Sequence, residues 1–428
     1  MGVEEFDTQQ HDLGALGHRL ERLGAPTSTV GAPTSTVGAV VWRLVLTRPG
    51  GGVPTVDAAA DAPIDIVGSA DGAVPAVLAT LLAGVTGGAA LHRIDGAGER
   101  DVLGPHDSSD ASDPSGPSDL SASQRHHPAR SVACIRGVGR RVPVGASVDH
   151  LVRAMAVRAV RTIVGLDPHL RLDALADDVH DARVAARRLR SELHSMAHVL
   201  RVPRTDRLRN ELAWYGDVLG AVRDLDFLLE HVAEGFADDD PGARLLRIRM
   251  RNQRRVAAIV LRNALTSTRM RGLYDELLAL VADPWFAKGV DPDRRARRAA
   301  LAAVRDADRR LARSVRAIGD PPDPQLLREV RKRAKACRYV CELVAEPTGS
   351  DRLAAAMKAL QTALGALQDA ATIDGWLGAT YRPVLEPAAV ATVATIAERV
   401  AERRMVAIAV WPASWVRAQS DALRPWLG

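Results

Sequence analysis

Aromatic residues and cysteines are scarce in this chain of 428 residues. Phe, Trp and Tyr make up 4% of it, so the cores that its 47% hydrophobic content supports must be built from Ala, Leu and Val. Cys134, Cys337 and Cys341 are too few for a disulfide framework, which predicts a cytoplasmic location. No apolar run is long enough to span a bilayer, and the N-terminus lacks a signal pattern, so we expect no membrane partner.

Lysine is also rare, and the positive charge is distributed unevenly. Only four of the 57 basic residues are lysines, so arginine forks, which suit phosphate oxygens, supply most of the charge. Residues 1–130 hold 8 basic and 16 acidic side chains, whereas residues 131–428 hold 49 and 36. The later part of the chain is therefore the part expected to recruit anions.

Three regions differ in their residue patterns. Residues 39–103 mix strand and helix signals, with a strand predicted at 40–46 and a short helix at 75–82. Residues 106–130 are rich in Ser, Asp and Pro and predict a disordered linker. From about residue 147, apolar residues recur every three or four positions, so residues 131–428 are predicted to form an all-α domain.

A cationic stripe is the most specific feature of the helical region. Positions 180, 183, 187 and 190 fall within about 80° of arc on a helix, and they hold His180, Arg183, Arg187 and Arg190. The same spacing returns 148 residues later, with the residues Arg328, Arg331, Lys335 and Arg338. Two matching stripes predict a surface for a long anion.

A solvated helix face is the alternative explanation of each stripe. Solvated faces usually mix signs, but Asp181 and Glu329 are the only acids within the two stripes. Residues 244–271 and 294–316 hold nine arginines each, which would widen the positive surface into a groove. The anion-binding residues predicted beside the stripes are Arg188, Lys332, Arg333, Arg251, Arg255, Arg305, Arg309 and Arg313.

The helical region also looks internally duplicated. Residues 219–224, Leu-Gly-Ala-Val-Arg-Asp, are echoed by residues 364–369, Leu-Gly-Ala-Leu-Gln-Asp. This repeat predicts two pseudo-symmetric four-helix bundles, at roughly 147–285 and 289–428.

Each copy of the repeat carries a glycine and an aspartate. We expect Gly220 and Gly365 to let two helices approach closely. Asp224 and Asp369 are expected either to orient an arginine of a stripe or to lie exposed.

Recognisable catalytic and metal-binding motifs are missing. The chain has no phosphate-binding loop, no Gly-x-Ser-x-Gly and no dinucleotide fingerprint. His194 and His198 have a spacing that can bind zinc, but no third ligand accompanies them. Cys337 and Cys341 are expected to be buried as small apolar residues. We therefore expect no catalytic residue, metal or cofactor.

The two stripes resemble the motifs of the CHAD family, the conserved-histidine α-helical domain. The first half carries Val-His180-x-x-Arg183-Val-x-x-Arg187-Arg188-Leu-Arg190, and the second carries Arg331-x-Arg333-Ala-Lys335-x-x-Arg338-Tyr339. The second half departs from the pattern, with Arg328 in place of a histidine and Ala336 in place of an arginine. The resemblance implies two helical bundles around a basic groove that binds inorganic polyphosphate, often at polyphosphate granules.

Residues 1–105 resemble a degenerate, truncated CYTH domain, the triphosphate-tunnel fold. The similar segments are Phe6-Asp7-Thr8, residues 17–22 and Trp42-Arg43-Leu44-Val45-Leu46. The opening Glu-x-Glu-x-Lys strand of that family is missing, and Val45 occupies the place of a tunnel lysine. The resemblance thus implies a small α/β remnant without catalysis.

The expected protein is mainly α, with two bundles preceded by an α/β remnant and a linker. Its expected function is non-catalytic binding of polyphosphate, either free in the cytoplasm or on granules. Nucleic-acid or general polyanion binding is the alternative, although the basic helices have few aromatics for base stacking. Triphosphatase activity of residues 1–105 is a further alternative.

Overall fold

The computed structural model describes residues 3–7, 13, 16, 19–23, 40–45, 64–68, 78, 81–82, 91–93, 102–103, 132–135, 137–233, 235–380, 387–424 and 426. The predicted linker at 106–130 lies outside these residues. The chain forms two compact units: one holds residues 1–137, 160–178 and 265–282, and the other holds residues 138–159, 179–264 and 283–428.

The first unit contains a six-stranded antiparallel sheet in the order β4-β3-β2-β1-β5-β6. The strands are β1 Val3–Asp7, β2 Arg19–Leu23, β3 Val40–Val45, β4 Ile64–Gly68, β5 Leu91–Arg93 and β6 Val102–Leu103. Trp42 and Leu44 alternate along β3 and are fully buried, and Leu20 of β2 pairs with Leu44. This period-2 burial explains the strand predicted from residue 40. In the predicted helix at 75–82, the described residues Leu78, Leu81 and Leu82 are helical.

Helices dominate the rest of the chain, which confirms the mainly α prediction. They are α1 Val148–Ile163, α2 Asp167–Leu172, α3 Ala176–Ser195, α4 Val202–Ala233, α5 Pro241–Leu265, α6 Thr268–Ala282, α7 Arg297–Arg316, α8 Pro324–Leu343, α9 Ala345–Thr348, α10 Asp351–Ala363, α11 Gly365–Thr380 and α12 Pro387–Ala418. Two 3₁₀ turns lie at Val132–Ile135 and Asp421–Leu423. Prolines begin α5, α8 and α12, as the fixed φ of proline at a first helical position favours.

The second unit is a helical bundle. Helix α8 packs on α7 and α10, α12 packs on α10 and α11, and α11 also contacts α4. One apolar core joins α4, α5, α11 and α12 through Leu228, Leu246, Met250, Ile373 and Val393. Residues from both predicted halves thus share a core, and the division at 285–289 into two bundles stays a prediction.

Candidate functional site: a cationic surface on α3 and α8

The stripes lie on the outward faces of two helices because the opposite faces are apolar and buried. Ala182, Ala186 and Leu189 of α3 are at most 1% exposed. Val330 and Ala334 of α8 are fully buried. Burying these residues leaves the cations of both stripes along the remaining arc, where all of them except the exposed His180 are half-buried.

Lys335 stands where the two stripes meet. Four arginines surround it: Arg183 and Arg187 from α3, and Arg331 and Arg338 from α8. Arg187 has the largest effect on the pKa of Lys335, followed by Arg331, Arg338 and Arg183. Burial first, and then these four guanidinium groups, lower the pKa of Lys335 from 10.5 to about 7. We call these five side chains the Lys335 cluster. Because like charges this close repel one another, the cluster is poised for an anion.

Two glutamates hold part of the surface in place. Glu192, which is 1% exposed, accepts from Arg158 at 2.8 Å and from Arg188 at 3.0 Å. Glu342 lies 3.1 Å from Arg188 and 3.3 Å from Arg338. Both glutamates lie just outside the two stripes, which span residues 180–190 and 328–338. They therefore neutralise arginines that have few acidic neighbours within the stripes themselves.

Tyr339 completes this support. Its ring lies under the guanidinium of Arg188, 5.3 Å from the ring centroid, and under that of Arg338, 5.1 Å away. Cation–π contact of this kind fixes the direction of each guanidinium plane. The orientations of Arg188 and Arg338 are therefore fixed by Tyr339 and by carboxylates, and these carboxylates neutralise part of their charge.

Other members of the stripes keep their charge available. Within the described part of the chain, no ion pair is made by Arg187, Arg190, Arg328, Arg331 or Lys335. The Nε atoms of Arg187, Arg328 and Arg331 are also buried without a hydrogen-bond partner. These five cations are the ones that an anion can neutralise.

The repeat of Gly220 and Asp224 positions Arg183. Asp224 accepts from Arg183 Nη1 at 2.9 Å, which confirms that this aspartate orients an arginine of the stripe. A Cβ at position 220 would lie 3.2 Å from Arg183 Nη2, so the glycine makes room for the guanidinium. The close contact at Gly220 is thus with a side chain of α3.

The second copy of the repeat is looser. Asp369 is near enough to Arg331 to influence its charge, yet the two make no ion pair. Burial raises the pKa of Asp369 and lowers that of Arg331. Among the described residues, no neighbouring atom lies within 4 Å of a Cβ built at Gly365, the first residue of α11, so the predicted close helix approach there is wrong.

His180 lies at the head of the first stripe beside Arg223 of α4. Arg223 Nε donates to His180 Nδ1 at 3.3 Å, so this ring nitrogen acts as an acceptor. Desolvation, followed by Arg223, lowers the pKa of His180. These surroundings therefore favour the neutral ring, whereas an anion bound nearby would favour the protonated form. Arg223 was absent from the residues predicted from the sequence.

The other end of α3 meets α7. His194 is hydrogen-bonded to Arg310, which also pairs with Asp306 at 2.5 Å. Desolvation, followed by Arg310, Arg209 and Arg333, lowers the pKa of His194. Cations of α4, α7 and α8 therefore surround this histidine and extend the positive surface along α3.

The remaining predicted residues are dispersed. Lys332 and Arg333 pair with Glu329 of their own helix. Arg251 and Arg255 are exposed on α5, and Arg305, Arg309 and Arg313 are exposed on α7. The contacts within the described ranges do not bring these five arginines to the Lys335 cluster.

Several residues of the site escaped prediction from the sequence. Arg158 and Glu192 lie on different helices, and Glu342 is one turn beyond the second stripe. The i,i+4 spacing of Arg188 with Glu192, and of Arg338 with Glu342, is a signal that could have identified both glutamates.

The described residues include neither a metal-binding cluster nor a membrane-spanning helix. Among the residues that the structure describes, no group of three or more His, Cys, Asp or Glu side chains could hold a metal ion. Helices long and apolar enough to cross a bilayer are missing from the same residues. Cys337 and Cys341 are fully buried, as expected.

Known proteins share this helical region. A family model of the CHAD domain matches residues 154–378. Rv2226 of Mycobacterium tuberculosis strain H37Rv, whose name describes it as uncharacterized, is 32% identical over 220 residues, which are 47% of this chain and 40% of that protein. MT2285 of strain CDC 1551, with the same description, is 31% identical over the same shares. The chain thus spans less than half the length of the curated relatives it matches.

Two solved structures have a similar fold. The CHAD domain from the plant Ricinus communis superposes with a TM-score of 0.55 at 20% identity, covering 69% of this chain and 97% of that one. PptA from Streptomyces chartreusis gives a TM-score of 0.52 at 20% identity, covering 64% of this chain and 99% of the other. At this identity the likeness concerns the fold.

Proposed function

Because the chain belongs to the CHAD domain family, which is associated with polyphosphate binding, we propose that it binds inorganic polyphosphate through the α3–α8 surface. The Lys335 cluster carries this proposal. It places five cations together, and Arg187, Arg331 and Lys335 among them make no ion pair within the described residues. A chain of phosphates supplies one negative charge per unit, which neutralises such a row without any sequence-specific contact.

The cations that are paired with carboxylates and the cations that make no ion pair have different roles in this proposal. Arg183, Arg188 and Arg338 are oriented by carboxylates, so they fix the geometry of the surface. Arg187 and Lys335 supply the charge that the ligand neutralises. Binding then needs little rearrangement of the protein, since the side chains are already directed towards the site.

Salt dependence follows from the number of neutralised phosphates. When the logarithm of the binding constant is plotted against the logarithm of the salt concentration, counterion release gives a slope of about −0.7 per neutralised phosphate of a single-stranded polyanion. The five stripe cations that make no ion pair are Arg187, Arg190, Arg328, Arg331 and Lys335. If each neutralises one phosphate, the slope is about −3.5, and the affinity is about 100-fold lower at 200 mM salt than at 50 mM.

The test is calorimetric titration of the full chain with long-chain polyphosphate. A variant that combines Arg187→Ala and Lys335→Ala should lose about 100-fold in affinity, because two charge-assisted contacts disappear. The matched control combines Arg244→Ala and Arg249→Ala, two exposed arginines of α5. Circular dichroism establishes that all three proteins are folded. Affinity of the first variant within threefold of wild type would refute this site.

Nucleic acid is the competing ligand class, since the same charges attract any polyanion. Duplex DNA should fail to displace polyphosphate at equal phosphate concentration, because the surface offers few aromatic side chains for bases. Equal displacement would make this a general polyanion surface.

The proposed role is binding without catalysis, in the cytoplasm and on polyphosphate granules. A CYTH-like triphosphatase in residues 1–105 is the alternative. Phosphate release from tripolyphosphate with Mg²⁺ or Mn²⁺ would establish that activity.

A further inference from the structure

A separate cleft of about 370 Å³ lies at the start of α7. Five arginines line it together with Leu301: Arg294, Arg295, Arg297, Arg298 and Arg305. None of the five makes an ion pair within the described part of the chain. We call this feature the arginine cleft.

The backbone of the arginine cleft is held rigidly. Val148 N donates to Arg294 O at 2.9 Å, and Ala296 N donates to Ala146 O at 2.7 Å. These bonds form a short antiparallel bridge between Ser147 and Arg295. Arg305 is also fixed, since its Nη2 donates to the carbonyl oxygen of Trp426 at 2.9 Å. These contacts fix the backbone before α7 and one of the five guanidinium groups, while the other four arginines are exposed.

The end of α7 adds positive charge to the cleft. Ala296 offers no side-chain cap, and the first turn contains no acid. Helix α8 differs, because Asp323 accepts from Gln325 N at 2.8 Å. The N-terminal end of a helix disfavours cations, so arginines at 297 and 298 are unfavourable there without an anion.

We propose that the arginine cleft binds a compact oligophosphate of about the size of tripolyphosphate. Its volume lies near the lower end of small-ligand sites, which run from about 300 to 1,000 Å³. Guanidinium forks and the N-terminal end of a helix both suit phosphate oxygens. No aromatic side chain lines the cleft, so a nucleobase would find no stacking partner. The ligand is therefore recognised through its phosphates, whether they end a polyphosphate chain or belong to a nucleoside triphosphate.

The experiment isolates this site from the α3–α8 surface. Tripolyphosphate is titrated into the full chain carrying Arg187→Ala and Lys335→Ala, in which the first surface is disabled. Adding Arg297→Ala and Arg298→Ala should weaken binding at least tenfold. Adding Arg244→Ala and Arg249→Ala instead removes equal charge and should change it less than twofold.

Chemical modification provides a readout that does not depend on variants. Tripolyphosphate should protect Arg294–Arg298 of the wild-type protein from phenylglyoxal, as measured by peptide mass spectrometry. Missing protection, or equal weakening by the control substitutions, would overturn the proposal. Adenosine triphosphate that competes no better than tripolyphosphate would identify the phosphates as the recognised part, and a preference for it of more than tenfold would contradict phosphate-only recognition. Failure of long-chain polyphosphate to bind the α3–α8 surface would leave these results unaffected.

Discussion

Replacing Lys335 by methionine should stabilise the free protein and weaken its binding of polyphosphate. The lysine is surrounded by four guanidinium groups, and burial together with their charge lowers its pKa from 10.5 to about 7. A shift of this size corresponds to about 5 kcal/mol without screening, at about 1.4 kcal/mol per unit. Solvent and salt screen a half-buried cation, so we expect a gain of about 1–2 kcal/mol.

The size of this stabilisation changes with pH in a defined window. Below pH 7 the lysine is protonated in both states, so the folded protein carries the full repulsion. From about pH 7 to 10.5 the lysine is neutral in the folded protein and charged in the unfolded one, so folding requires its deprotonation. The free-energy cost of that deprotonation falls as pH rises towards 10.5. The advantage of Lys335→Met should thus be largest at pH 6 and smaller at pH 9.

The assay is thermal unfolding without ligand, at pH 6 and at pH 9. A gain of 1–2 kcal/mol corresponds to a midpoint higher by about 2–8 °C for a chain region of this size. Lys358→Met, at an exposed position of α10, is the control and should leave the midpoint unchanged. A lower midpoint for Lys335→Met at pH 6, or a gain that is equal at the two pH values, would refute the reasoning.

Three further predictions concern other parts of the surface. Asp224→Asn should raise polyphosphate affinity by about two- to fivefold, because Arg183 loses the carboxylate that neutralises it at 2.9 Å, while the amide oxygen can still accept its hydrogen bond. Calorimetry measures this, and weaker binding would show that orientation of Arg183 by the carboxylate matters more than the charge that the carboxylate neutralises. Glu192→Gln should lower the free energy of unfolding by about 3 kcal/mol, since the two guanidinium groups of Arg158 and Arg188 lose a buried carboxylate. Urea unfolding measures this, and a decrease of less than 1 kcal/mol would contradict it. Polyphosphate affinity should fall as pH rises from 6 to 8.5, because Lys335 and His180, whose pKa values are lowered, must be protonated to meet the anion; pH-independent binding would exclude both residues.

The stripes themselves were predictable because helix periodicity is a local property. Residues 180–190 and 328–338 each needed only the 3.6-residue period to align their cations. Convergence of the two stripes on Lys335 depends on how α3 and α8 pack, which periodicity does not contain. The same holds for Glu192 and Glu342, whose pairing crosses between helices.

Glycines illustrate the limit of repeat-based prediction. Gly220 and Gly365 occupy equivalent places in the repeat. In the described part of the chain, a Cβ built at Gly220 meets the guanidinium of Arg183, whereas one built at Gly365 meets no atom within 4 Å. The residues that line the arginine cleft lie close together in sequence, from 294 to 305, so their charge was visible. The backbone pairing of residues 146–148 with residues 294–296 was not, because those segments are far apart in sequence. Arg305 was predicted as part of the groove, and its structural neighbours are those of the cleft.

The aromatic ring of Tyr339 on α8 contacts the guanidinium of Arg188 on α3, so it helps to set the distance between the two helices at this point. A surface whose two helices keep this distance would impose its path on a bound polyphosphate chain, and the flexible chain would lose conformational entropy. Chains shorter than the surface would bind more tightly with each added phosphate. Once the surface is covered, further phosphates would remain in solvent and be free to engage another copy of the protein. A long polymer would then collect several molecules, with a spacing set by the width of one surface.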